Sequence, residues 1–150
     1  MVTNVDTGDL TLGVIGTGAM GRGIAQIMAA GGLKVLMFDA TEGAAEAGRA
    51  FAERMIMRAA EKGTLTDDDA EAAAGRLSVV DSLSDLASCN VVVEAVVEDL
   101  SIKRKVFGDL EGIVGEETIL ATNTSSLSVT AIAAELAHPQ RMAGFHFFNP

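Results

Sequence analysis

Short apolar runs alternate along the chain with longer segments in which apolar residues recur at three- or four-residue spacing. The runs have the length of strands and the periodic segments have the length of helices. Six runs are predicted to be strands: residues 10–15, 34–38, 77–80, 90–96, 118–121 and 141–147. Continuous apolar runs such as residues 91–93 suit a parallel sheet that helices cover on both faces. The alternation therefore predicts an α/β fold with a doubly wound parallel sheet.

The segment between the second and third predicted strands is longer than a minimal crossover needs. Thr41 and Glu42 are predicted to begin a helix that ends at Gly63. Thr66 is predicted to cap a further helix, whose acidic first turn complements the helix dipole. The pattern predicts a helical hairpin insertion between strands 2 and 3.

A glycine-rich turn follows the first predicted strand and opens the first helix. Its residues have the Gly-x-Gly-x-x-Gly spacing: Gly16, Thr17, Gly18, Ala19, Met20 and Gly21. The first glycine permits the tight turn, the second lets the backbone approach a pyrophosphate, and the third lets the helix lie close to the sheet. The N–H groups of the helix N-terminus favour an anion. We therefore expect residues 1–150 to form one Rossmann-type dinucleotide-binding domain.

An acidic residue closes the second predicted strand, about 20 residues beyond the glycine turn. A carboxylate at the position of Asp39 accepts hydrogen bonds from the adenosine ribose hydroxyls and repels a 2′-phosphate. Ala40 and Thr41 follow it, so no arginine is there to hold such a phosphate. The expected cofactor is NAD rather than NADP. The alternative is that Asp39 only caps the next helix.

Composition limits the possible partners and the compartment. The formal net charge is -10, and no basic patch is evident, so neither nucleic acid nor an anionic membrane surface is an expected partner. Residues 1–9 are polar and acidic and lack the charge and the apolar core expected of a signal peptide, and no apolar run approaches the roughly 20 residues of a membrane span. The single cysteine, Cys89, is interpreted as a small residue at a strand edge rather than a nucleophile, and a reducing, cytoplasmic location is expected. No metal site is predicted.

Polar residues follow the last three predicted strands, where ligands bind in open α/β sheets. They are Glu94, Glu98 and Asp99 after the fourth strand, Asn123, Thr124, Ser125 and Ser126 after the fifth, and His146 and Asn149 after the sixth. Oxidation of an alcohol needs a base near neutral pH, and histidine suits that role. His146 is the candidate base, unless it is a buried structural histidine. His138 precedes Pro139 in a predicted surface loop.

Four sequence segments, in order and at compatible spacing, resemble the L-3-hydroxyacyl-CoA dehydrogenase family. They are the glycine turn continued as Arg-Gly-Ile-Ala-Gln, Val-Glu-Ala-Val-Val-Glu at 93–98, Ala-Thr-Asn-Thr-Ser-Ser-Leu at 121–127, and Gly-Phe-His-Phe-Phe-Asn-Pro at 144–150. The last two are far more specific than the glycine turn, and they distinguish this family from the 3-hydroxyisobutyrate and 6-phosphogluconate types. The resemblance extends from about residue 10 to residue 150.

This resemblance implies NAD-dependent oxidation of (S)-3-hydroxyacyl-CoA to 3-oxoacyl-CoA, in fatty-acid β-oxidation or related catabolism. It implies that His146 is the general base and that Ser125 hydrogen-bonds the substrate oxygen near the nicotinamide. Glu98, Lys103 and Asn123 would serve the cofactor's nicotinamide half, and Asn149 would hold the nicotinamide or the substrate carbonyl. Lys62 falls where the family places a lysine on the CoA phosphates. Its alternative role is that of a cation at a helix C-terminus.

The family continues into a helical dimerisation domain, so a homodimer through that domain is implied for the whole protein. The glutamate that orients the family's histidine lies about a dozen residues beyond this motif, outside the 150 residues. We therefore expect this chain by itself to bind NAD and to show little activity. Two alternatives stay open: a sugar-acid dehydrogenase of the L-gulonate type, and a non-catalytic NAD-binding module.

Overall fold

The sheet of this domain contains six strands, all parallel, in a computed structural model that describes residues 6–148. The strands are β1 (Thr11–Ile15), β2 (Lys34–Phe38), β3 (Leu77–Val79), β4 (Val91–Glu94), β5 (Ile119–Thr122) and β6 (Met142–Gly144). Their spatial order is β3-β2-β1-β4-β5-β6. This order confirms the predicted doubly wound sheet, because the chain begins at the centre and winds outward in both directions.

Helices cover both faces of the sheet. They are α1 (Ala19–Ala30), α2 (Ala44–Glu61), α3 (Asp67–Gly75), α4 (Leu100–Glu111) and α5 (Val129–Ala133). One apolar cluster packs the first three helices against the sheet, and a second cluster packs α4 and α5. None of the helices within residues 6–148 has the length and apolar character needed to cross a membrane.

The strand order reverses between β1 and β4, where the two halves of the sheet meet. Ile15 is in register with Glu94, so both strands end at the same level. The loops that follow them diverge to opposite sides of the sheet, which opens a crevice at the carboxyl edge. This crevice is where the predicted site residues should meet.

The predicted helical hairpin is present as α2 and α3, but its first helix begins three residues later than expected. Thr41 donates its backbone N–H to the carboxylate of Asp39 at 2.9 Å, and Gly43 has a φ of +78°. A left-handed residue cannot continue a right-handed helix, so α2 begins at Ala44. The cap of α3 is as predicted, because the Thr66 hydroxyl accepts the N–H of Asp69 at 3.1 Å.

The sixth strand is shorter than the predicted 141–147. The N–H of Phe145 still donates to the Thr122 carbonyl oxygen at 2.9 Å. The N–H of Phe147 donates instead to the side-chain oxygen of Asn123, also at 2.9 Å. The backbone ladder therefore ends at Gly144, and the residues around His146 lie in a segment held by a side chain.

Candidate cofactor and active site

The glycine turn has the geometry that its sequence predicts. Gly16 has a φ of +86°, and a Cβ on Gly21 would lie 1.7 Å from the Gly16 carbonyl oxygen. These two glycines are therefore required by the packing of the turn itself. A Cβ on Gly18 would meet nothing within 4 Å, and Gly18 caps α1 without a side-chain hydrogen bond. The N-terminus of α1 thus opens onto space that a pyrophosphate group can fill.

Asp39 is held beside this turn by three hydrogen bonds. Its Oδ2 accepts the backbone N–H of Thr17 at 2.8 Å and the Thr17 hydroxyl at 2.9 Å, while Oδ1 accepts the N–H of Thr41. Partial burial raises the pKa of the Asp39 carboxyl, but the hydrogen bonds from Thr41 and Thr17 outweigh it and leave that pKa below its ordinary value. The carboxylate is therefore ionised and fixed at the end of β2.

A largely apolar cleft of about 610 Å³ lies between this carboxylate and α4. Phe38, Leu83, Val96, Ile102 and Val106 contribute to its apolar wall, and Asp39, Gly16 and Gly18 form its polar edge. An apolar slot beside a fixed carboxylate fits an adenosine, whose ring packs on the wall and whose ribose hydroxyls can donate to the carboxylate. The residues present therefore fit the adenosine half of a dinucleotide.

A second cavity of about 270 Å³ lies at the carboxyl ends of β4 and β5. It brings together residues that are far apart in the sequence, among them Met20, Glu98, Lys103, Asn123, Ser125 and His146. Among the described residues, His146 is exposed at this cavity. Asn149 lies outside the described residues. The cavity thus combines a histidine, a hydroxyl and an amide at the end of the crevice opposite Asp39.

The walls of this second cavity are linked by side-chain hydrogen bonds. The Oδ1 atom of Asn123 accepts the Phe147 N–H, which ties the end of β5 to the segment that carries His146. The Thr124 hydroxyl donates to the carboxylate of Glu98, so the loop after β4 is joined to the loop after β5. The predicted residues of the two loops are therefore held together.

Lys103 lines the cavity but is only 1 % exposed, and its ammonium group is paired within the protein. Its Nζ lies 2.5 Å from Oε1 of Glu94, whose Oε2 accepts the Thr122 hydroxyl at 2.7 Å. From the sequence, Glu94 is predicted only to lie among the polar residues at the end of the fourth strand, and its pairing is not predicted. The sequence does contain a signal for this ion pair. A carboxylate that directly follows three valines of a central strand is expected to be buried, and a buried charge requires a partner.

Lys62 lies outside both cavities. It is the C-terminal capping residue of α2 and is exposed, so the structure does not bring it to the other predicted site residues. His138 is exposed in the loop before β6, as predicted. Cys89 is buried, and burial raises the pKa of its thiol to about 11. This raised pKa agrees with a packing role rather than a nucleophilic one.

Comparison with known proteins relates residues 11–150 to the family described as 3-hydroxyacyl-CoA dehydrogenase, NAD binding domain. The chain is 39% identical over 140 residues to 3-hydroxybutyryl-CoA dehydrogenase of Mycobacterium tuberculosis. The aligned segment covers 93% of this chain and 49% of that protein. It is 41% identical to 3-hydroxyadipyl-CoA dehydrogenase of Escherichia coli, over 100% of this chain and 31% of that protein.

A solved structure shows the same likeness. The crystal structure of (S)-3-hydroxybutyryl-CoA dehydrogenase from Ralstonia eutropha superposes with a TM-score of 0.88 at 41% identity, over 93% of this chain and 50% of that one. The chain spans about half the length of many of the curated relatives it matches.

Proposed function

The chain belongs to the 3-hydroxyacyl-CoA dehydrogenase family as its NAD-binding domain, and from this premise we propose that it supports NAD-dependent oxidation of (S)-3-hydroxyacyl-CoA to 3-oxoacyl-CoA. The observation that carries the proposal is the cavity that gathers Ser125, Asn123 and His146 at the strand ends. A cavity with a base, a hydroxyl and an amide can bind and deprotonate a secondary alcohol.

The two halves of the crevice are proposed to bind different parts of the cofactor. Asp39 and the glycine turn would hold the adenosine and the pyrophosphate, and the nicotinamide end would then lie toward Met20 and the second cavity. A nicotinamide held there would supply the hydride acceptor that oxidation of the alcohol carbon requires. The ionised Asp39 repels a 2′-phosphate, so NAD is the cofactor rather than NADP.

His146 is proposed as the general base. A neutral imidazole accepts the proton of the 3-hydroxyl while the hydride leaves C3, the carbon that bears this hydroxyl, so that the product is a ketone. The exposed position of His146 at the cavity leaves its ring accessible to a substrate. The Ser125 hydroxyl donates a hydrogen bond to the substrate oxygen, and its position on the loop after β5 places it in the same cavity.

The bond between Asn123 and Phe147 supports this assignment. Because the amide oxygen of Asn123 is occupied by the Phe147 N–H, the side chain of Asn123 positions the segment that carries His146. Within residues 6–148 the Asn123 amide nitrogen has no hydrogen-bond partner, so it is available to the nicotinamide or the substrate. We propose that Asn149 adds to this contact.

A row of cations on α2 favours an acyl-CoA over an uncharged substrate. Arg54, Arg58 and Lys62 recur at four-residue spacing and so lie along one side of the helix. Within residues 6–148 none of them forms an ion pair, although Glu53 and Glu61 are nearby and Arg49 pairs with Glu53. In a chain of net charge -10, such cations are suited to phosphate groups, and we propose that Lys62 binds those of CoA.

A turnover assay tests the proposed function. The complete gene product is given NADH and acetoacetyl-CoA, and the loss of NADH absorbance is followed. We expect NADH-dependent reduction, and in the opposite direction we expect oxidation of the (S) but not the (R) isomer of 3-hydroxybutyryl-CoA.

Two outcomes would contradict this proposal in favour of another function. Oxidation of L-gulonate without turnover of either CoA thioester would favour the sugar-acid alternative. Tight NADH binding by the complete gene product without turnover of any of these substrates would favour a non-catalytic NAD-binding module.

A further inference from the structure

Glu94 and Lys103 form an ion pair that is almost completely enclosed. Glu94 is 0% exposed and Lys103 is 1% exposed, and Nζ and Oε1 are 2.5 Å apart. The carboxylate also accepts the Val96 N–H at 2.7 Å and the Thr122 hydroxyl at 2.7 Å. Both carboxylate oxygens and the ammonium group therefore have partners within the protein.

This pair lies at the wall of the second cavity. Lys103 and Val96 both line it, together with Ser125 and His146. Lys103 projects from the second turn of α4 to the end of β4, so the pair joins two elements that frame the crevice. A charge at this position has little water to screen it, and its field therefore extends into the cavity.

We propose that the Glu94–Lys103 pair adds no net charge to the cavity wall and thereby balances the affinities for oxidised and reduced NAD. The proposal rests on the NAD site but not on the identity of the substrate. The nicotinamide ring carries one positive charge when oxidised and none when reduced. An unpaired Lys103 would disfavour the oxidised ring, whereas an unpaired Glu94 would favour it.

The measured quantity is the Kd for NAD⁺ divided by the Kd for NADH. NADH fluorescence gives the second constant, and displacement of NADH by NAD⁺ gives the first. In Glu94→Gln we expect the ratio to rise on the order of tenfold, the scale of an interaction between unit charges across a cavity wall at an effective dielectric of roughly 20. In Lys103→Met we expect it to fall by a similar factor. The double variant should return it to the wild-type value.

Thr122→Val is the matched control. It removes a hydrogen bond from the same carboxylate without changing any charge, so the ratio should stay within about twofold of wild type. The charge of Glu98, also at this cavity, is the same in every variant and therefore cancels in the comparison.

A purely structural role predicts a different result. Loss of packing or loop order would raise both dissociation constants together and leave their ratio unchanged in each variant. An unchanged ratio in both single variants overturns the proposal, as does a shift of the same sign in both. If thermal unfolding shows that Glu94→Gln is not folded, the proposal is tested by Lys103→Met and by the double variant. A ratio that does not fall in Lys103→Met, or does not return in the double variant, overturns the proposal.

Discussion

Asp39 accepts two hydrogen bonds from Thr17, one from the backbone N–H at 2.8 Å and one from the hydroxyl at 2.9 Å. Thr17 is 4% exposed and lies inside the glycine turn. The contact therefore fastens the end of β2 to the turn after β1 and sets the carboxylate beside the opening of α1. Two features that are 22 residues apart in the sequence act as one binding surface because of it.

Substitution of Asp39 should reduce cofactor selectivity. In Asp39→Asn we expect the Kd for NADH to rise about tenfold or more, because hydrogen bonds to a charged acceptor contribute roughly 1.5–3 kcal/mol. The preference for NADH over NADPH should shrink, since the repulsion of the 2′-phosphate is lost. Fluorescence titration with each cofactor measures both effects. Glu116→Gln, the same charge change in an exposed turn before β5, is the control, and equal shifts in both variants would contradict the role of Asp39.

Two glycines of α1 should respond to alanine in opposite directions. A Cβ at Gly21 would collide with the Gly16 carbonyl oxygen at 1.7 Å, whereas a Cβ at Gly23 would meet nothing within 4 Å. Gly21→Ala should lower the free energy of unfolding by about 1–3 kcal/mol or more and weaken NADH binding. Gly23→Ala should raise it by up to about 1 kcal/mol through helix propensity. Denaturant unfolding measures both, and a stable Gly21→Ala variant would refute the packing account.

Cys89 should be unreactive in the folded protein. Burial raises the pKa of its thiol to about 11 from an ordinary value of 9.0, so little thiolate exists at pH 8. Ellman's reagent should react slowly with the native chain and quickly in denaturant. The unfolded chain ionises at lower pH than the folded one, so this thiol should lower stability as the pH rises from about 9 toward 11.

The single cysteine makes the control simple. Cys89→Ala should show no reaction in either state, which identifies the source of any signal. The same substitution should remove the thiol's share of the stability loss above about pH 9. Native labelling as fast as that in denaturant would show that the thiol is accessible.

Lys62 should affect the substrate and not the cofactor. In Lys62→Ala of the complete gene product we expect the KM for acetoacetyl-CoA to rise severalfold and the Kd for NADH to stay the same, because Lys62 lies outside both cavities. Since Lys62 is exposed, the rise in KM should shrink at high salt. Lys34→Ala is the control. Lys34 is an exposed lysine at the first residue of β2, at the end of the strand away from Asp39, and its substitution should leave KM unchanged. An unaltered KM in Lys62→Ala would return this residue to the role of a helix C-terminal cation.

His146 should affect turnover and not cofactor binding. In His146→Gln of the complete gene product we expect kcat for oxidation to fall by about 10²–10⁴, the usual contribution of a general base. NADH affinity should barely change, because the proposed contacts with the adenosine and the pyrophosphate are made by Asp39 and the glycine turn. His138→Gln, in the exposed loop before β6, is the control, and a normal kcat in His146→Gln would exclude the base assignment.

Local sequence patterns suffice to predict the fold class and the cofactor. Strands buried on both faces are apolar throughout, so their number and direction can be read from local composition. The spacing of Gly16 and Gly21 reflects backbone geometry, and Asp39 follows at the distance that a strand-helix-strand unit sets. Each of these features depends on residues that are close together in the chain, and for that reason local patterns predict them well.

The polar groups that contact one another are known only from the folded chain. Lys103 lies on α4, and its pairing with Glu94 depends on how this helix packs against the end of β4. The sixth strand ends early because the N–H of Phe147 donates to the side-chain oxygen of Asn123, which lies at the end of β5. Burial and hydrogen bonding between distant segments follow from packing of the whole chain, and no local pattern of apolar and polar residues encodes them.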